Sequence, residues 1–553
     1  MRKKIKVIVL SDWFYYCALT LITILVGQIP VILHIFHTPK GYYYPYLDTV
    51  AAVGDYYYHA LIRFGMGSDW LVKIPYVIAD HQASLIQIIF VWLGKFALVI
   101  RAGPAEIFAI SRVIGGMIYA VSVILFMKLI LEKKQARLAF LFFLFAQPFS
   151  FTSINKLFNQ DFGRWIWFFD EAARRISIMP PHYTIGRGLA IFSISFYIIY
   201  LNNKRLLFLT LMFASAVLGG IIYPPPVFIL LLSVSLTMIT YLISIRISNW
   251  KNLATKSVIG FILFILGCLL PLIILKMELA KGYPWNMWNK VELGWNASTM
   301  HFERDYLEML GLLILLVPFS IIKLFDRKIR DWKIYFLFYW AISAFLLFPF
   351  ANLLQVGKFR FSEGAQIVPI SILASWGFLT ISKYSVKYFN SKVTCILQVM
   401  IISLVVINFI IFTILTVRNY TLSLWGYWTN VYFRPVELSA LKYLRENTGS
   451  GAVVLASGNV SSYLPSFASI NTIIGLSDSY EKFTDFEYEK QRIDSILAGT
   501  ASENEVKEYV QTRKVNYIYF EKYTFGKKIL YPQLLVPLYE NDGFTIFQVR
   551  KDV

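Results

Sequence analysis

Three stretches of the first 418 residues set acidic side chains beside basic and aromatic ones. The first, 37–105, holds Asp48, Asp55, Asp69 and Asp80 among two aromatic runs, Gly41-Tyr-Tyr-Tyr-Pro-Tyr46 and Asp55-Tyr-Tyr-Tyr-His59. The second, 155–182, carries Asp161, Asp170, Glu171, Arg174 and Arg175 and ends in Pro180-Pro181-His182. The third, 351–363, closes with Lys358-Phe-Arg360-Phe-Ser-Glu363. A carboxylate can take the proton of a hydroxyl group, guanidinium and ammonium groups can hold a phosphate, and aromatic faces can carry a sugar ring. Together these are the parts needed to move a sugar off a phospholipid carrier. Each also has a plainer role. A tyrosine at a membrane edge belongs to the interfacial belt, a loop aspartate caps a helix, and Arg174 and Arg175 meet lipid headgroups. His34, His37 and His59 lack ligand spacing, so no metal site is expected from them. Cys17, Cys268 and Cys395 each lie in an apolar run and read as small hydrophobes without a disulfide. Asn296-Ala-Ser298 is a glycosylation sequon by pattern alone.

The elements that position these stretches are membrane helices. Hydrophobic residues make up 57% of the chain and charged ones 16%, against about 25% in ordinary soluble domains. Runs long enough to cross a bilayer are expected near 14–36, 106–131, 137–154, 183–202, 204–220, 224–246, 257–276, 306–324, 333–350, 364–383 and 394–416. The 204–246 region also reads as one long helix broken at Gly219-Gly220 and Pro224-Pro225-Pro226. The apolar run Ser84–Ile100, interrupted by Lys95, reads as a helix lying at the interface.

Every second connector is rich in Lys and Arg, from Arg2-Lys-Lys4 through Lys133-Lys134, Lys204-Arg205 and Arg327-Lys328 to Lys387 and Lys392. That alternation puts the N-terminus in the cytoplasm behind a retained signal anchor. It puts the loops 37–105, 155–182, 277–305 and 351–363 outside the cell membrane, together with the C-terminal domain. The formal charge of +20 follows the same pattern. Residues 419–553 carry 14 Lys/Arg and 15 Asp/Glu, a net of −1, so the first 418 residues hold +21. Positive charge confined to the membrane portion marks topology, and no nucleic-acid partner is expected.

Beyond residue 418 the pattern changes. Helical stretches at Val436–Asn447, Glu481–Leu497 and Ser502–Thr512 alternate with strand-like runs at Ala452–Ser457, Asn471–Gly475, Val515–Phe520 and Phe544–Val549. The expectation is an α-helical polytopic membrane domain over 1–418 and a small α/β extracytoplasmic domain over 419–553. Ser457-Gly-Asn-Val-Ser461 lacks the glycines of a phosphate-binding loop.

With these residues in place, the chain resembles the GT-C superfamily of integral membrane glycosyltransferases, in the branch of the protein mannosyltransferases and aminoarabinose transferases. Gly54-Asp-Tyr-Tyr-Tyr-His-Ala-Leu-Ile-Arg63, Gly67-Ser-Asp-Trp-Leu71 and Leu93-Gly-Lys95 are similar to the family's first outer loop, and Asp55 matches its catalytic aspartate. Glu171 through Pro181-His182-Tyr183 resembles a second outer motif, and Arg360-Phe-Ser-Glu-Gly-Ala-Gln-Ile-Val-Pro369 a third. The tail, from Ala440-Leu-Lys-Tyr-Leu-Arg-Glu-Asn447 into Val453-Val-Leu-Ala456, looks like the family's outer domain. An adjacent Asp-Glu pair is missing from the first loop, so Asp48 stays a rival to Asp55. The Trp-Trp-Asp motif of oligosaccharyltransferase subunits is missing too.

The resemblance implies inverting transfer of a hexosyl or pentosyl group from a polyprenyl-phosphate sugar to a glycan, lipid or protein acceptor. Asp55 would be the base, Arg360 with Lys358 would bind the departing phosphate, and Glu363 would belong to the substrate-binding residues. Glu171, His182 and Tyr58 would bind sugar or acceptor. It names no cofactor beyond the lipid-linked donor and leaves a divalent cation open. Two other classes fit the composition: a flippase of lipid-linked saccharides, and a membrane-anchored receptor or assembly protein.

Overall fold

A computed structural model describes residues 12–47, 52–147, 176, 179–244, 255–296, 306–307, 310–325, 332–423, 431–475, 486–526 and 531–550. Asp48, Asp161, Glu171, Arg174 and Arg175 lie outside the described residues. The first part of the chain is helical: α1 Asp12–His37, α2 Ala52–Gly65, α3 Ile88–Ile100, α4 Pro104–Ile130 and α5 Lys133–Phe145. There follow α6 Pro181–Asn203, α7 Leu206–Ile222, α8 Pro224–Ser244, α9 Thr255–Leu279 and α10 Met287–Asn296. Next come α11 Val317–Phe325, α12 Trp332–Leu347, the short α13 Lys358–Ser362, α14 Ile367–Tyr388 and α15 Ser391–Ser423.

Among the described residues seven helices are long and apolar enough to cross a membrane: α1, α4, α6, α9, α12, α14 and α15; α3, α7 and α8 are shorter apolar helices. The protein is a multi-pass membrane protein. Where a broken helix was one reading of 204–246, two helices stand, α7 and α8, separated at Tyr223. Pro224, Pro225 and Pro226 open α8, where missing N–H donors leave no intrahelical bond unmade. The span expected at 306–324 begins as a 3-10 turn, Gly311–Leu315, before α11.

The chain divides into two compact units. The first comprises residues 1–30, 112–276 and 292–419. Its core is aromatic and aliphatic, with Tyr119, Phe126, Phe143 and Trp340 fully buried. Helix α14 lies in the middle, 72% of its apolar window buried, while only 17% of the α15 window is. The outward side chains of α15, among them Ile396, Val399, Met400, Leu404 and Ile407, are exposed, a surface suited to acyl chains and not to water. Helices α6 and α7, joined by Lys204-Arg205, pack tightly at Gly219, where a Cβ would lie 3.2 Å from the Ala190 nitrogen. Gly220 likewise makes room for Pro271 of α9.

The second unit comprises residues 31–111, 277–291 and 420–553. The tail therefore folds together with the first polar stretch. Tyr43 and Phe433 form an antiparallel bridge with N···O distances of 3.1 and 2.9 Å. Segment 277–291 clasps residues 82–85: Glu278 Oε2 accepts from the Leu85 N–H at 3.0 Å, and Trp285 Nε1 donates to the Gln82 carbonyl at 2.8 Å. The tail contributes helices α16 Pro435–Asn447, α17 Gly458–Phe467, α18 Phe486–Leu497, α19 Glu503–Thr512 and α20 Lys522–Phe525. Its strands are β1 Val453–Leu455, β2 Asn471–Thr472, β3 Tyr517–Glu521, β4 Leu535–Glu540 and β5 Phe544–Val549, in the order β2-β1-β3-β5-β4. β1 runs parallel to β2 and β3, and β5 antiparallel to β3 and β4. Ser502 opens α19 with a capping box closed by Glu505. Asn541 Oδ1 accepts from the N–H groups of Gly543 and Phe544 and turns β4 into β5.

Two glutamates of the tail lose water on folding, Glu437 buried and Glu521 half-buried. Glu437, on α16, accepts a 2.5 Å hydrogen bond from the Tyr463 hydroxyl, and Glu521 accepts one of 2.5 Å from Ser457. Burial raises both above 4.5, the usual glutamate value. A carboxyl raised by folding keeps its proton while the unfolded chain has lost it. Stability is therefore greatest below 4.5, falls as the pH rises towards the folded value, and is flat above it. Each unit of elevation removes about 1.4 kcal/mol at neutral pH. Thermal unfolding of the intact protein across pH 4 to 8 is expected to show this decline, and Glu437→Gln to flatten it. An unchanged slope in the variant would mean that Glu437 ionises as freely as in the unfolded chain.

Candidate functional site

Each unit contributes a polar cluster. In the second unit, Asp55, His59 and Arg63 recur every four residues along α2 and so share one face. Asp55 is 1% exposed and His59 2%. The helix is fixed on its other sides. A Cβ on Gly94 of α3 would lie 2.3 Å from the Ile62 carbonyl, so backbone meets backbone there. The three tyrosines after Asp55 point to different neighbours. Tyr56 meets Phe433 edge-on at 6.2 Å, Tyr57 meets Tyr76 at 6.2 Å, and Tyr58 stacks on Phe90 at 4.4 Å and on Phe108 at 5.8 Å. Much of the aromatic run thus holds α2 in place.

In the first unit the chain assembles a cationic cluster from α6, the α7–α8 junction and the turn after α13. Pro181 starts α6 and sets His182 in its first turn, 6% exposed, with its ring 4.1 Å from that of Tyr183. Arg187, one turn further along, is 1% exposed. Its Nε donates to the Glu363 carbonyl at 3.2 Å, and its guanidinium lies 5.6 Å from the Tyr183 ring and 5.8 Å from the Tyr223 ring. The Glu363 carboxylate accepts from the Tyr223 hydroxyl and, at 3.1 Å, from Arg360 Nη1. Arg360 also sits 4.4 Å over Phe359.

The turn that carries Glu363 is held from both ends. Trp340 Nε1 donates to the Gly364 carbonyl at 2.9 Å, and Gln366 Nε2 to the Phe361 carbonyl at 2.5 Å. Gly186 lets Tyr223 approach: a Cβ there would fall 2.4 Å from the Tyr223 Cβ. At the start of α13 the Lys358 N–H donates to Asn296 Oδ1 at 2.7 Å, and Asn296 Nδ2 reaches Asn352 and Val356. The sequon asparagine is thus a structural clasp for the Lys358 segment.

His182, Arg360 and Glu363, expected from separate stretches, meet in this cluster; Lys358 starts the same short helix. Arg187 and Tyr223 join them although the sequence reading passed over both. An arginine inside an apolar span is itself a functional signal, and Gly186-Arg187-Gly188 carried it. Glu363 engages both guanidinium groups, Arg187 through its carbonyl and Arg360 through its carboxylate, and such forked cations suit an anion. Among the described residues no group of three or more His, Cys, Asp or Glu side chains could hold a metal ion.

No family model and no curated protein sequence matches the chain. Solved structures do. Archaeal oligosaccharyltransferase AglB from Archaeoglobus fulgidus, in complex with an inhibitory peptide and a dolichol-phosphate, superposes with a TM-score of 0.54. The two are 12% identical, and the match covers 93% of this chain and 71% of that one. ArnT from Cupriavidus metallidurans, bound to undecaprenyl phosphate, gives 0.51 at 10% identity, covering 97% and 98%. The chain shares the fold of these two structures. At such identity the likeness speaks for the fold alone, and the chemistry rests on this chain's own side chains.

Proposed function

We propose that the protein is a membrane glycosyltransferase that moves a sugar from a polyprenyl-phosphate donor to an acceptor on the extracytoplasmic side. The observation that carries this reading is the cluster of buried Arg187 and His182 with half-buried Arg360 and Glu363 on a GT-C fold. It is supported by the dolichol-phosphate and undecaprenyl phosphate bound in the two similar structures.

In the proposed reaction Asp55 takes the proton of an acceptor hydroxyl, and the oxygen attacks the anomeric carbon from the face opposite the phosphate. The bond between that carbon and the phosphate oxygen breaks, its electron pair stays on the phosphate, and the sugar inverts. Arg360 holds the departing phosphate, with Lys358 beside it in sequence. Glu363 and Tyr223 fix the Arg360 guanidinium, and His182 orients sugar or phosphate. A guanidinium held in place before the reaction stabilises the developing charge without reorganising, which is how such groups lower a barrier.

The test is to reconstitute the purified protein with a radiolabelled polyprenyl-phosphate sugar and cell-envelope extract. Label is expected to leave the lipid and appear in a water-soluble or protein-bound product, with free polyprenyl phosphate formed alongside. Passage of the intact lipid-linked sugar across the bilayer without cleavage would overturn the reading in favour of a flippase.

A further inference from the structure

The second unit contains a cavity of ≈ 320 Å³, at the low end of the range for small-molecule sites, roughly 300–1,000 Å³. It opens on the same face of α2 that carries Asp55, since His59 and Arg63 line it one and two turns further on. The opposite wall is α16, whose Lys442 and Arg445 both line the cavity and, three residues apart, share a helix face. Both are exposed and free of the core. Three cations therefore face one carboxylate, Glu106, among the lining residues.

Glu106 stands in the first turn of α4 and accepts a 3.3 Å hydrogen bond from the Tyr43 hydroxyl. Arg63 uses its Nε on the Ser466 carbonyl at 3.4 Å, and a guanidinium carries five donors in all. Burial, with Arg445 nearby, lowers Arg63 to about 10, so this wall holds positive charge at a cost that a bound anion would relieve. Tyr43 and Phe467, edge to face at 6.3 Å, supply ring surface beside the charges. Ring surface suits a sugar and forked cations suit an acid; with Glu106 in the lining and Glu446 3.6 Å from Arg445, three cations still meet only two carboxylates, an excess that a neutral glycan would not offset.

We propose that this cavity binds an acidic saccharide, one whose sugar bears a carboxylate or a phosphate. Under the transferase reading, on which the role but not the binding rests, that saccharide is the acceptor. Its place on the Asp55 face of α2 suits that part.

The experiment is calorimetric titration of the intact purified protein with glucuronate-containing and glucose-containing disaccharides, glucose 1-phosphate and inorganic phosphate. Acidic sugars are expected to bind at least tenfold more tightly than the neutral disaccharide, and the carboxylate and phosphate arms show which anion is preferred. Binding is expected to fall at least tenfold in Lys442→Ala/Arg445→Ala and to persist in Lys442→Arg/Arg445→Lys. Both pairs sit at exposed positions, and matching melting temperatures check the fold. Equal binding of acidic and neutral sugars, or wild-type affinity in the double alanine variant, would overturn the proposal; so would inorganic phosphate alone binding as well as the phosphosugar. Since binding is read without turnover, failure of sugar transfer would leave these results standing and would count against the transferase reading alone.

Discussion

Asp55→Asn is expected to lower the rate of sugar transfer by about 10²- to 10⁴-fold, the usual contribution of a positioned general base. The affinity for the lipid-linked donor is expected to hold. Asparagine keeps the size of the side chain, and α2 is fixed by backbone contact through Gly94 and by Tyr56, Tyr57 and Tyr58, so the helix keeps its place. The measurement is steady-state transfer from radiolabelled polyprenyl-phosphate sugar at matched protein levels, with a thermal melt to check folding. Asp48→Asn is the necessary companion, because both aspartates belong to the same polar stretch. A loss confined to Asp55→Asn makes it the base. Full activity in Asp55→Asn with a collapse in Asp48→Asn would transfer the role to Asp48.

Arg360→Ala is expected to raise the KM for the lipid-phosphate donor by about 10- to 150-fold. Hydrogen bonds to a charged group are worth about 1.5–3 kcal/mol, and each 1.4 kcal/mol is a factor of ten. Removing Arg360 also strips Glu363 of an ionic partner at 3.1 Å, and part of any loss could come from that bared carboxylate. The double variant Arg360→Ala/Glu363→Gln removes the complication. If it binds polyprenyl phosphate as weakly as Arg360→Ala, the arginine acts on the lipid. If it binds like the wild type, Arg360 serves only to neutralise Glu363, and the phosphate site lies elsewhere.

The membrane helices were legible because length and apolarity alone define them: α1, α4, α6 and α12 start within two residues of their expected starts, and α14 three residues after its own. In the tail, α16, α19, β1 and β5 appear where composition put them, but β4 and α17 were missed. Pro537 disguised β4, a proline tolerated because the strand is at the sheet edge, with an irregular register at that point. Pro465 did the same for α17. Of the candidate site, the charged residues of the turn after α13 stood out against their apolar surroundings. Tyr223 did not, since one tyrosine among 35 carries no mark of its partner. Its link to Glu363, 140 positions away, belongs to tertiary structure. The joining of the tail to residues 31–111 was equally hidden, because bridges such as Tyr43 to Phe433 leave no local pattern.

The bare backbone at position 186 has a genetic consequence. A single methyl there would press on Tyr223, loosen the phenol from Glu363, and release the arginine that the acid restrains, all without touching an ionisable group. Codon 186 should therefore tolerate no coding change in organisms that depend on this protein, although the residue it encodes has no chemistry of its own.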